Sequence, residues 1–301
     1  MSSEIIISAI VLGLIFAIMS LGIYISFRIL NIPDLTIDGS FTLGCAVSAI
    51  FAVNGQPALG ILLSIVAGII AGCVTGFLQT KLKVQTILAG ILTMTGLYSI
   101  NLRIMKDAPN ISLFGKDTIF SRFEGVLKDY THVVVLMVIV IIIIVILYWF
   151  LKTQLGMALR ATGDNEDMVR ASSLNTDAIK IMGLAIANSL VALAGALFAQ
   201  QQNFADVSSG IGMMVIGLAS VIVGEAIFVE LLKKHNSLLL RFSSVVIGAI
   251  LYRFILTLAL QIGMPASDLK LFSAILVTIA ISLPVISKYV KKRRNKYVKV
   301  R

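Results

Sequence analysis

Long apolar runs repeat along this chain, and their length determines the class of fold. Residues 5–27, 58–80 and 133–151 contain no charged side chain, and each run approaches or exceeds the ~20 residues that an α-helix needs to cross a bilayer. The composition agrees, because 58% of residues are apolar and 13% are charged, whereas soluble domains are about one quarter charged. Transmembrane strands would show ~10-residue alternation instead. The sequence therefore predicts an all-α, polytopic transmembrane helical bundle.

The apolar runs predict about nine spans, within a range of eight to ten. The predicted helices cover residues 5–27, 36–53, 58–80, 84–103, 133–151, 181–200, 212–231, 238–260 and 271–287. The first run lacks the basic start and the cleavage site of a signal peptide, so it is interpreted as the first helix. The whole chain, residues 1–301, is interpreted as a single transmembrane domain.

The positions of Lys and Arg predict the orientation, since basic residues are retained on the cytoplasmic side. The tail, residues 288–301, is strongly basic and contains no acid, which predicts a cytoplasmic C-terminus in contact with anionic lipid. Counting back through the spans places the polar residues 152–180 inside and residues 103–133 outside. A multi-pass protein of the cell membrane, inner or cytoplasmic, is expected. The net charge of +10 reflects the basic tail and the Lys and Arg residues retained on the cytoplasmic side, so no nucleic-acid partner is predicted.

A glycine stripe indicates how the bundle packs. Gly68, Gly72 and Gly76 recur at every fourth residue, which lets a neighbouring helix approach one face closely. The neighbour is interpreted as a helix of the same chain, with the seam of a dimer as the alternative.

Polar residues interrupt the apolar runs at two places with a similar pattern. Asn31 to Ser40 contains Pro33 and Gly39, which break a helix, and Asn203 to Gly210 repeats the order Asn, Asp, aliphatic, then Thr or Ser. The predicted topology puts the two copies on opposite sides, as in the inverted repeats of transporters; chance resemblance is the alternative. The polar residues of the two copies are the candidate translocation path: Asp34, Thr36, Asp38, Ser40, Asn203 and Asp206.

The polar interruption, residues 152–180, predicts two short helices. The first helix is expected to end at Gly163. Asn165 and the acidic residues around it are expected to begin the second helix, and Asn175 and Thr176 are expected to end that second helix. Its modest apolar face suits docking into a groove on a soluble partner. On spacing alone, a solvated linker is an equally good interpretation.

Motifs for enzyme chemistry are missing from the sequence. It has no G-x-x-x-x-G-K-[ST] phosphate loop, no HExxH and no GxSxG, so no catalytic residue and no activity as an enzyme are predicted. Cys45 and Cys73 lie in apolar runs without metal-type spacing, so two free thiols and no metal site are expected. Glu225 is interpreted as part of an interhelix ion pair, with proton coupling as the alternative.

Part of the sequence resembles a known family. The segments Arg160 to Asn165 (RATGDN), Arg170 to Asn175 (RASSLN) and Gly183 to Leu197 (GLAIANSLVALAGAL) resemble permeases of ABC importers, in the group with branched-chain amino acid and ribose permeases. The stretch Gly13 to Gly44, with FRILNIPDLTIDGSFTLG at its centre, is more similar to a subgroup of uncharacterised or aromatic-amino-acid-type permeases. The resemblance covers most of the chain from Gly13 to Glu225.

The resemblance implies a permease subunit that translocates a small solute, an amino acid or similar, by alternating access. An extracytoplasmic binding protein would deliver the solute, a second permease copy would complete a homodimer, and a separate ABC ATPase would hold ATP and Mg, with no cofactor in this chain. Ser173 departs from the glycine frequent in the family. The coupling segment would contact the ATPase through Gly163, Asp164, Asn165, Glu166, Met168, Val169, Arg170, Ala171, Leu174 and Asn175.

Two alternatives remain at this point. An ion-coupled secondary transporter or channel would explain the broken helices without an ATPase, but it gives the polar segment no purpose. A structural membrane subunit without a translocation path would make substitutions of Asp34 and Asp38 silent in transport.

Overall fold

The fold is known from a computed structural model, which describes residues 3–121, 130–228, 237–265, 268–269, 271–276, 278 and 282. Helices α1 to α5 are Ser3–Ile23, Thr36–Val53, Pro57–Thr80, Thr86–Ile104 and Thr131–Lys152. Helices α6 to α10 are Gln154–Asp164, Glu166–Ala171, Thr176–Gln202, Met213–Ile227 and Leu238–Gln261. Strands β1, Asn110–Ser112, and β2, Phe204–Asp206, complete the elements. The prediction of a helical membrane bundle is confirmed.

Among the described residues, 7 helices are long and apolar enough to cross a membrane. They are α1 with its continuation to Ile29, α2, α3, α4, α5, α8 and α10. Helix α9 is apolar but only 15 residues long, and most of the predicted span 271–287 falls on residues outside those described. Helix α8 begins at Thr176 rather than at the predicted residue 181, because Asn175 caps a polar first turn by accepting from the amide of Ala178.

Helix α8 lies at the centre of the bundle, where α1, α2 and α3 pack around it. The glycine stripe of α3 faces it: a Cβ at Gly68 would lie 2.5 Å from the carbonyl oxygen of Asn188, and one at Gly76 would lie 2.8 Å from Cα of Ile181. Such distances leave no room for a side chain, so the backbones of α3 and α8 touch. The predicted contact within one chain is confirmed.

The first predicted helix break is present between α1 and α2. Helix α1 ends in a π-helical turn, Tyr24–Ile29, and Asn31 adopts a left-handed φ of 57°. Asp34 then accepts the backbone N–H of Thr36 at 2.9 Å, which satisfies one of the free amides at the start of α2. Wider turns of this kind occur frequently at functional sites of helices.

The second break follows α8, where Asn203 has φ 58° and ends the helix. Strand β2 then pairs antiparallel with β1, with Ile111 opposite Ala205. This strand pair was not predicted. It ties the segment between α4 and α5 to the end of α8, and the chain turns from β2 into α9.

Helices α4 and α5 present exposed apolar faces. Ile141, Val145 and Trp149 lie along α5, and Leu92 and Ile100 along α4, all of them exposed. Because these helices are predicted to cross the bilayer, such faces suit lipid or another membrane chain.

Both cysteines are free thiols, Cys45 buried and Cys73 partly buried.

Candidate functional site

A buried polar cluster lies where the first break meets α8. Asn188 donates to a carboxylate oxygen of Asp34 at 2.7 Å, and its amide oxygen accepts from Ser40 at 2.6 Å. The hydroxyl groups of Thr36 and Thr75 are 2.7 Å apart. All five side chains are buried. The cluster therefore joins α2, α3 and α8 through hydrogen bonds in a setting where an unpaired polar group would be costly.

Asp38 connects the two broken regions. Its carboxylate accepts the backbone N–H groups of Gly212 at 2.9 Å and of Met214 at 2.8 Å, at the start of α9. One turn further along α2, the hydroxyl of Thr42 accepts the amide of Gly210 at 3.0 Å. A carboxylate at this position stabilises the N-terminus of a helix. The turn that follows β2 therefore lies against α2, and α9 starts beside Asp38.

Asn203 and Asp206 lie apart from the buried cluster. The carbonyl oxygen of Asn203 accepts the amide of Leu113 at 2.8 Å, and its side chain is exposed. Asp206 accepts the amide of Ser208 at 2.7 Å within its own turn. The structure thus brings together Asp34, Thr36 and Ser40, places Asp38 at α9, and leaves these two residues at the strand pair.

Sequence analysis missed two residues of the cluster, Asn188 and Thr75. Each stands in a long apolar helix, and an isolated polar residue in a span is itself a sign of a partner. Asn188 lies within the segment GLAIANSLVALAGAL, which was used for the family resemblance but not for the site.

The polar segment between α5 and α8 forms two short helices, as predicted, but its bounds differ. Helix α6 continues through Gly163 to Asp164, so the expected break at Gly163 is wrong. Asn165 interrupts the helices instead: it caps α7 by accepting the amide of Met168 at 3.1 Å. Gly163 serves close packing, because a Cβ there would overlap the backbone of Ile29.

Helix α7 ends at Ala171, before the predicted end. Asn175 and Thr176 do not end it; Asn175 caps α8. The chain turns between these helices at Ser173, which has a left-handed φ of 63°, a conformation that glycine adopts at lower cost. This explains why glycine suits the position, although serine occupies it here.

Glu166 fixes the orientation of α7 against α8. Its carboxylate pairs with Lys180 at 2.5 Å and with Arg170 at 2.9 Å. The hydrogen bond from Lys180, more than any other contact, holds the pKa of Glu166 below its ordinary value. Val169 points inward, with 2% of its surface exposed, whereas Met168 is 59% and Leu174 47% exposed. Helix α7 and the turn after it thus expose Met168 and Leu174, while the ion pair of Glu166 with Lys180 attaches the helix to α8.

Beside this ion pair, a cavity of about 500 Å³ lies between α7, the start of α8 and the end of α3. Its lining includes Lys83, Arg170, Lys180 and Asp177. Another ion pair on this face joins Lys81 to Asp177 at 3.1 Å. Charged residues at the end of α3 and at the start of α8 therefore lie close to α7.

Glu225, near the end of α9, pairs with Arg28 of the first break at 2.5 Å. The interhelix ion pair predicted for Glu225 is present. The contact joins the last turn of α9 to the π-helical end of α1, so α9 is held at its start by Asp38 and near its end by Arg28.

Broken helices that meet inside a helical bundle are typical of membrane transport proteins. This chain is a membrane transport protein. Residues 5–282 match the family described as branched-chain amino acid transport system / permease component, and the chain belongs to this family. It is a multi-pass membrane protein and the permease subunit of an ABC importer, as the resemblance predicted.

Three relatives illustrate the similarity. The tyrosine transport system permease protein of Clostridioides difficile (strain R20291) is 39% identical over 294 residues, 97% of this chain and 96% of the relative. Uncharacterized protein RP368 of Rickettsia prowazekii (strain Madrid E) is 38% identical over 93% of this chain and 97% of its own length. The autoinducer 2 import system permease protein LsrC of Photorhabdus laumondii is 29% identical over 73% of this chain and 62% of its own. No solved structure matches.

Proposed function

We propose that this permease translocates an amino acid or a similar small solute, with an aromatic amino acid as the first candidate. The similarity to a permease named for tyrosine transport extends over 97% of the chain, and the family description also names amino acids. An extracytoplasmic binding protein would deliver the solute. A separate ATPase, which would hold ATP and Mg, would drive alternating access.

The observation that carries the ATP-driven mechanism is the geometry of α7. The exposed Met168 of α7 and Leu174 of the turn that follows offer an apolar surface, and the ion pair of Glu166 with Lys180 holds the helix to α8. Helices with apolar anchors dock into grooves of their partners. We infer that Met168 and Leu174 contact the ATPase, with Ala171 beside them, while Glu166 and Arg170 position the helix.

Movement of α7 would reach the translocation path through α6 and α8. Gly163 packs against Ile29 at the end of α1, and α8 carries Asn188, the centre of the buried polar cluster. These contacts give the ATPase a mechanical connection to Asp34 at the first break. We propose that rocking of α8 relative to α2 opens the path to one side at a time.

The remaining partners are also proposals. The exposed apolar faces of α4 and α5 support a second permease copy, which would complete a homodimer. We propose that the C-terminus faces the cytoplasm of a cell membrane, where the basic residues 288–301 would bind anionic lipid.

Purification of the tagged full chain from its native host in mild detergent tests this function. We expect a soluble ATPase to be recovered with the wild-type chain, and the double variant Met168→Ala and Leu174→Ala to lose most of it. Met157→Ala is the matched control, because this methionine is 53% exposed but lies on α6. The control should retain the ATPase.

Equal recovery of the ATPase with the double variant would contradict docking through α7. Recovery of the wild-type chain without any ATPase, together with transport that persists after ATP depletion and stops when the ion gradient collapses, would favour the ion-coupled transporter instead. The family match argues against that outcome.

A further inference from the structure

A cavity of about 400 Å³ opens next to Asp38, between α2, α4 and the turn before α9. This volume falls in the range of small-molecule sites, ~300–1,000 Å³. Its polar lining includes Asp38 and Asn101, and its apolar lining includes Met94, Val207 and Ile211 together with the ring of Tyr98. None of the described residues that line it is a Lys, an Arg or a His. The cavity therefore offers hydrogen-bond acceptors and an apolar wall.

Asn101 has an unused acceptor in this region. The residue is 1% exposed, and its Nδ2 donates to the carbonyl oxygen of Gly39 at 3.3 Å. Its Oδ1 is buried and has no hydrogen-bond partner among the described residues. Exchanging the two amide atoms would bring two oxygens together, so Oδ1 is the atom directed away from Gly39. Buried acceptors in native proteins are almost always satisfied by protein, water or ligand, and a donor on a bound solute would satisfy this one.

Asp38 supplies negative charge to the same cavity. The amides of Gly212 and Met214 each occupy one carboxylate oxygen, and a carboxylate can accept about four hydrogen bonds. The carboxylate thus keeps acceptor capacity while the start of α9 fixes its position. Tyr98 lies in the opposing helix with about half of its surface exposed, so its ring can contact an aromatic or aliphatic body.

We propose that this cavity receives the amino group of the transported solute, with Oδ1 of Asn101 and the carboxylate of Asp38 as acceptors and Tyr98 against its apolar part. The proposal rests on the proposed function as a permease for an amino acid-like solute. Because the described lining contains no cationic side chain, the solute needs its amino group here and does not need its carboxylate.

Three probes test this chemistry on the purified full chain bound to its ATPase in lipid nanodiscs: L-tyrosine, tyramine, which lacks the carboxylate, and 3-(4-hydroxyphenyl)propionate, which lacks the amine. Binding is measured by titration calorimetry without ATP. We expect L-tyrosine and tyramine to bind and the propionate to bind at least about tenfold more weakly. Asn101→Leu should weaken tyramine binding about tenfold or more.

Thr93→Val is the matched control for Asn101→Leu. Thr93 is a buried residue of the same helix, its hydroxyl bonds to the carbonyl of Ala89 within that helix, and it lines a different cavity. The control should bind tyramine like the wild type. If Asn101→Leu does not fold, Tyr98→Ala on the cavity wall carries the test, with weaker tyramine binding expected.

Binding of the propionate as tight as that of tyramine would overturn the proposal, as would unchanged tyramine binding in the variants or no binding of any probe to the wild type. Recovery of the ATPase is recorded for every sample and reports the proposed function separately. A chain that keeps its ATPase but binds no probe contradicts the cavity alone, whereas a wild-type chain without an ATPase contradicts the proposed function.

Discussion

Asn188 is the residue on which the buried cluster depends. It donates to Asp34 and to the carbonyl oxygen of Leu184, and it accepts from Ser40. Asn188→Leu keeps the volume of the side chain but leaves the carboxylate of Asp34 without this donor. We expect a loss of about 1–3 kcal/mol in the free energy of unfolding, the usual cost of leaving a buried polar group without its partner. A lower thermal unfolding temperature of the purified chain in detergent would measure it.

Ser189→Ala is the control for this substitution, since Ser189 neighbours Asn188 but bonds to the carbonyl of Ile186 in its own helix. The exchanged pair Asp34→Asn with Asn188→Asp should recover part of the loss, because the donor and the acceptor change places. Equal unfolding temperatures for Asn188→Leu and the wild type would show that the cluster contributes little to stability.

At the scale of whole helices, the contact of α3 with α8 depends on the absence of side chains. A Cβ at Gly72 would lie 2.7 Å from Cα of Ala185, so Gly72→Ala must push the helices apart. Overpacking of this kind costs about 1–3 kcal/mol. Gly96 of α4 is the matched control, because a Cβ there meets nothing within 4 Å. Gly96→Ala should be neutral or stabilising by up to about 1 kcal/mol.

Thermal unfolding of the two glycine variants in the same detergent measures this difference. An unfolding temperature that falls for Gly72→Ala and stays constant or rises for Gly96→Ala supports the close contact. An equal decrease in both variants would mean that α3 and α8 are further apart than the structure has them.

The attachment of α7 to α8 should depend on pH through Glu166. Its pKa is lowered, chiefly by the hydrogen bond from Lys180, so its ion pair with Lys180 stabilises the attachment above the ordinary Glu pKa of ~4.3. That stabilisation is lost as the pH falls through the lowered pKa of the folded chain. Amide hydrogen exchange over residues 166–175 should therefore be faster in Glu166→Gln than in the wild type at pH 7, and the difference should vanish at acid pH.

Asp167→Asn is the control for this measurement, since it removes a carboxylate from the same first turn of α7 and leaves the ion pairs of Glu166 intact. A difference between Glu166→Gln and the wild type that persists unchanged at acid pH would show that charge pairing does not hold α7.

The elements that could be predicted are those that the bilayer or local chemistry specifies. The bounds of α2 follow directly from an apolar run, and Asn165 is recognisable as a cap from its side chain and the acids after it. Gly163 was misassigned because a glycine that ends a helix and one that packs against another helix look alike in sequence. The pairing of β1 with β2 was missed because three-residue strands far apart in the chain carry no local pattern. Asn188 and Asn101 could not be predicted as site residues, because their hydrogen-bond partners lie far away in the sequence.

For the molecule as a whole, the proposed topology places α7 and the strand pair on opposite sides of the membrane. The span count and the Lys and Arg distribution give this orientation. The pair of Lys81 with Asp177 agrees with it, because the count that places residues 152–180 inside also places Lys81 inside. If it is correct, single cysteines on the two faces will react with different reagents.

Cysteine labelling of intact cells tests this orientation. In a background with Cys45→Ala and Cys73→Ala, Phe114→Cys beside β1 replaces a residue that is 87% exposed, and it should react with a membrane-impermeant maleimide. Met168→Cys in α7 should react only after the membrane is permeabilised. The reversed pattern would invert the topology and would move α7 away from any cytoplasmic ATPase, because a helix on the outer face has no access to a partner that hydrolyses ATP in the cell.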